Sequence, residues 1–144
     1  MRQLRRDERG QALVEFSLAI IIFLVLLMGV FDFGRAIYQF NGVSQAAREI
    51  ARVTAVHPGT DFSTDAGRSS ETKAVIQTQE GLIPNLQDPL IKCVLIDGTV
   101  KTSGCMEGDW IQVRISAPYT PITPLLGLTG TWDFFSSSTS VQLQ

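Results

Sequence analysis

Between Phe16 and Phe31 the chain reads FSLAIIIFLVLLMGVF, sixteen residues without a charge. As a helix rising ~1.5 Å per residue this run covers roughly 24 Å, short of the ~30 Å hydrocarbon core that about 20 residues span. Extending it back to Ala12 brings Glu15 to the membrane boundary, and extending it forward to Phe33, Ile37 and Tyr38 brings in Asp32 and Arg35. The latter two stand three residues apart and can partly neutralise each other. Either choice leaves a carboxyl group at a membrane boundary, a cost that marks function unless the group snorkels to the headgroups. The pattern predicts a transmembrane helix over about residues 12–34.

Nothing stops this helix at the boundary. Residues 32–57 contain no proline, and the next terminator is Pro58-Gly59. Ala36, Phe40, Val43, Ala47, Ile50 and Val53 or Thr54 recur at three- and four-residue steps and define an apolar face. Arg35, Gln39, Gln45, Arg48, Glu49 and Arg52 define the opposite, polar face. One helix over 11–57 is expected, lipid-facing below and protein-facing above. Its upper stripe is suited to packing on the chain's own head. It is equally suited to neighbouring copies, through the small residues Ala36, Ala46, Ala47 and Ala51.

The remainder, 58–144, reads as a small α+β head. A polar loop, TDFSTDAGRSS, leads into a short helix over 70–82, and Pro84-Asn85 and Asp88-Pro89 mark its exit. Leu90–Ile96 reads as a strand, with Asp97-Gly98 turning it into a short partner at 99–102. Trp110–Ala117 alternates, with Ile111, Val113, Ile115 and Ala117 inward. The proline- and leucine-rich stretch 118–130 reads as an apolar loop, with Leu125–Leu128 covering one open end of the sheet, and a last strand falls within Thr131–Leu143. The expected fold is thus a long N-terminal helix followed by a mostly antiparallel sheet.

Net charge is −2, but its distribution is uneven. Residues 1–10 carry four Arg against Asp7 and Glu8, the helix is balanced, and the head holds five basic against nine acidic groups. Arginines ahead of the apolar run predict a cytoplasmic N-terminus and an exported head. A removed secretory signal fits less well than a retained helix, since no small-residue cleavage site follows the apolar run.

Cys93 and Cys105, the only cysteines, both lie in the head. In an exported domain such a pair reads as a disulfide, worth ~3 kcal/mol for a loop of this size, with two reduced thiols as the alternative. Without a CxxC pattern and with His57 the lone histidine, no metal site, no cofactor and no catalytic residue is expected. Ser70-Glu71-Thr72-Lys73 matches SxxK without its companion motifs. No basic, aromatic-interleaved face for nucleic acid appears.

Gly10 precedes Gln11-Ala12-Leu13-Val14-Glu15 and the apolar run, behind a basic leader. This arrangement is similar to the type III signal of type IV pilins and pseudopilins. With DFGRA and AAREIAR further along, residues 9–56 resemble the TadE-like family of the Tad (Flp) pilus system. The resemblance implies a type IV pilin-like fold. It also implies a leader, 1–10, cut by a prepilin peptidase between Gly10 and Gln11, and Glu15 as the assembly glutamate, fifth in the mature chain. Gln11 departs from the usual Phe, which leaves its methylation open. Implied partners are that peptidase, other pilins or pseudopilins, the Tad assembly platform and the lipid bilayer. The implied role is that of a minor pilin in adhesion or secretion. The alternative is an uncleaved signal anchor that presents a binding module and has no pilus role.

Overall fold

The computed structural model describes residues 4–122 and 130–142. Its elements are helix α1 (Leu4–Val56), helix α2 (Ser70–Leu82) and strands β1 (Leu90–Val94), β2 (Val100–Lys101), β3 (Trp110–Tyr119) and β4 (Trp132–Gln142). The layout is α+β: a long N-terminal helix followed by a four-stranded antiparallel sheet in the order β2-β1-β3-β4.

The chain forms two compact units. The first holds α1 up to Arg35 together with Pro121, Ile122 and Gly130. Its apolar helix surface is largely exposed, with Leu13, Phe16, Leu26 and Phe31 all about two-thirds accessible. A helix this long and apolar can cross a membrane.

The second unit begins at Ala36 and contains the upper part of α1, α2 and the sheet. One core runs through it. Val43, Ala46, Ala47, Ile50, Ala51 and Ala55 of α1 are buried with Ile76 of α2, Ile83, and Ile91, Ile111, Val113, Ile115 and Ala117 of the sheet. The upper stripe therefore packs on this chain's own head. It is wider than its three- and four-residue steps imply, because Ala46, Ala51 and Ala55 join it and Thr54, not Val53, is the fully buried member. Of the small residues that suited contact with another copy, Ala46, Ala47 and Ala51 are buried in this chain's own core, and Ala36 is half-buried.

Local chemistry fixes the other elements. Ser69 caps α2 by accepting the Thr72 amide, and Glu71 in the first turn suits the positive end of the helix. Asp97 turns β1 toward β2, its carboxylate accepting the Thr99 amide, with Gly98 at a φ of 84°. Strand β3 runs two residues further than its alternation suggests, through Pro118 and Tyr119. A proline is tolerated there because β1 flanks β3 only as far as Arg114, so Pro118 has a neighbour on one side only, opposite Asp133 of β4. The junction with α1 is closed by Gln39, whose Nε2 donates to the Pro118 carbonyl at 3.1 Å, and by the edge-to-face pair of Phe40 and Phe134 at 6.1 Å. The loop at Leu125–Leu128, expected to cover an open end of the sheet, lies outside the described residues.

Candidate functional site

Gly10, Gln11 and Glu15 lie on consecutive turns of α1, all exposed. A methyl group added at Gly10 would touch nothing within 4 Å. Packing therefore supplies no reason for a glycine there, although in a helix it costs about 1 kcal/mol relative to alanine. Glu15 stands between Val14 and Phe16, both about two-thirds exposed, and makes no ion pair among the described residues. A carboxylate on an otherwise apolar helix face asks for a counter-charge from elsewhere.

The second acid is provided for within its own unit. Asp32, its side chain 15% exposed, faces Arg35 Nη1 at 3.8 Å and also accepts the backbone N–H of Ile122 at 3.1 Å. The Ile122 amide comes from ninety residues along the chain and has no sequence signal.

Within the head, the Cys93 and Cys105 sulfurs are bonded, with Cα atoms 6.0 Å apart. Cys93 is buried on β1, and the bridge closes the segment that carries β2. No group of His, Cys, Asp and Glu able to hold a metal ion exists among the described residues.

The head also contains two polar devices that the sequence does not single out. Arg68, buried in the loop before α2, donates through Nη1 and Nη2 to Asp88 at 2.6 and 2.9 Å, and through Nη2 to the Pro89 carbonyl at 3.0 Å. The hydrogen bond to Asp88 holds the Arg68 guanidinium above its ordinary pKa, so the pair ties the loop before α2 to the entry of β1. Asp88→Ala should leave a buried guanidinium with one carbonyl acceptor. We expect a loss of about 2 kcal/mol, the scale of a charged hydrogen bond, read as a lowered thermal midpoint of the detergent-solubilised chain. The other device is a buried hydroxyl chain: Ser69 Oγ donates to Thr72 Oγ1 at 2.9 Å, which donates to Thr54 Oγ1 at 3.3 Å and so joins α2 to α1.

Several carboxylates outside the core are held below their ordinary range. Asp61 is held below its ordinary 3.8 by the Ser63 hydroxyl and amide, and Asp97 by the Thr99 amide and hydroxyl. Glu71 is held below 4.5 by its own amide and the Ser70 hydroxyl. Lowered carboxylate pKa values stabilise the fold above the ordinary values, and this is lost as pH falls through the lowered ones. The thermal midpoint should therefore be flat from neutral pH down to about 5 and decline modestly below about 4.

The fold and these positions define a class: a chain with one helix compatible with a single-pass membrane anchor, fused to a small α+β head. Residues 10–52 match the family model described as TadE-like protein. The match starts at Gly10, takes in Glu15, Asp32 and Arg35, and ends inside the helix stripe that forms the head's core. No curated protein and no solved structure matches the chain.

Proposed function

We propose that this chain is a TadE-like pseudopilin, a minor pilin that takes part in assembling a Tad/Flp-type pilus for adhesion or secretion, and that it is not an enzyme. A prepilin peptidase cuts between Gly10 and Gln11, leaving 11–144 anchored with its N-terminus at the cytoplasmic face and its head outside. The observation that carries this reading is the position of Glu15, an exposed carboxylate with no ion-pair partner among the described residues on an apolar helix. Cleavage creates the missing counter-charge, because hydrolysis of the Gly10–Gln11 bond converts a neutral amide into the α-ammonium of Gln11. That ammonium, on a neighbouring subunit entering the assembly, meets the carboxylate where lipid strengthens their attraction. The family match over 10–52 supports the same assignment.

A head of this size, stabilised by its own core and a cystine, suits a subunit that primes or caps an assembly. In a cell carrying a complete Tad apparatus, deleting the chain should remove or sharply reduce surface pili, and supplying it in trans should restore them. Normal piliation without the chain would refute the proposal.

A further inference from the structure

Asp32 and Ile122 point to a second contact between this chain and the bilayer. The uncharged run ends at Phe31, so Asp32 stands where the spanning helix leaves the hydrocarbon. At that level the Ile122 amide is fastened to the Asp32 carboxylate, and the Ile122 side chain is left 68% exposed. Phe31 and Phe33, either side of Asp32, are equally exposed. Pro121 and Ile122 belong to the compact unit of the spanning helix, not to that of the sheet. The sequence from Tyr119 to Thr131 contains no charged residue.

We infer that the Pro121–Ile122 segment is an interfacial membrane anchor, held by Asp32 at the outer boundary of the bilayer with the Ile122 side chain among the lipid headgroups and upper acyl chains. The occupant of this apolar surface is lipid because the surface continues that of the spanning helix at the same level, within one unit. Two roles for Asp32 follow. Its charge is met by Arg35 and by an amide dipole, which offsets the cost of an acid at this depth. It also sets the height at which the chain returning from β3 meets the membrane. The inference rests on residues 12–34 spanning a bilayer and is independent of cleavage or pilus assembly.

The test uses the full chain reconstituted in vesicles of phosphatidylethanolamine and phosphatidylglycerol. Single cysteines replace Ile122, Leu24 of the spanning helix, or Ile96 at the exposed turn after β1, and each carries an environment-sensitive fluorophore; the native cysteines are bonded to each other. At position 122 we expect blue-shifted emission, quenching by lipids with a nitroxide near the headgroup, and several-fold weaker quenching by iodide than at 96. Asp32→Ala should raise iodide access at 122 and leave position 24 unchanged. A lipid-shielded 24 beside a 122 as open to iodide as 96 would overturn the anchor alone. Water access at 24 would overturn the spanning helix itself. Shielding at 122 that varies with protein density and ignores the nitroxide lipid would assign the surface to a second copy and also overturn the inference.

Discussion

Replacing Glu15 with alanine should abolish assembly while leaving the chain folded and inserted. The two effects separate because they have opposite signs. In the membrane alone, an acid near the helix start is a cost, up to ~3 kcal/mol on insertion scales at the helix centre and less near the boundary, so alanine eases insertion. In the proposed assembly, the same acid would be the partner of an incoming ammonium. Losing even ~1.4 kcal/mol there weakens each addition tenfold, and pilus formation compounds such losses. Pilus-associated chain should fall at least tenfold, while membrane-fraction abundance and head folding stay at wild-type levels. Glu15→Asp, which keeps the charge and shortens the reach, should retain part of the function. An uncleaved anchor that only displays a binding module would be indifferent to both changes.

The second large effect concerns where the head begins. Pro58-Gly59 ends α1, yet the core of the head extends back along that helix to Val43. A chain starting at Pro58 lacks Val43, Ala46, Ala47, Ile50, Ala51 and Ala55, all essentially inaccessible in the intact fold. Burial of Ile50 and Val43 alone contributes ~1.5–3 kcal/mol each, and the alanines add to it. The total matches the ~5–15 kcal/mol by which whole domains are stable. The 58–144 fragment should therefore lack near-ultraviolet circular dichroism and a cooperative melt, whereas a fragment starting at Ala36 should show both. Residues within the segment that matches the TadE-like family model thus also supply one wall of the head's core.

How much of this is legible in the sequence depends on the range of the interaction. Helix α2 spans the 70–82 expected ahead of Pro84, and the alternation of Ile111, Val113, Ile115 and Ala117 gives the buried face of β3, because breakers and pleats are local rules. The family resemblance is legible for the same reason, since Gly10, Glu15 and the apolar run are a contiguous pattern. Residues that work across distance stay hidden. Phe62 sits in a polar loop yet is 2% exposed, its amide donating to the Thr102 carbonyl beyond β2. Close approach within that loop requires Gly59 and Gly67, since a Cβ on Gly59 would overlap the Gly67 carbonyl and one on Gly67 that of Asp61. Arg68 finds Asp88 twenty residues on, and Asp32 finds Ile122 ninety residues on. No periodicity encodes such pairings. The helix stripe is an intermediate case: its direction is plain from Val43, Ala47 and Ile50, but its partner emerges only once the sheet is in place.

Intact-mass measurement and N-terminal sequencing of the membrane-extracted protein, co-expressed with an active prepilin peptidase, bear most directly on the creation of a positive charge beside Glu15. The account predicts a chain that begins at Gln11 and has lost residues 1–10, and an uncut chain when the peptidase is inactive. A protein that still carries Met1 or Arg2 in the presence of the active peptidase would contradict it.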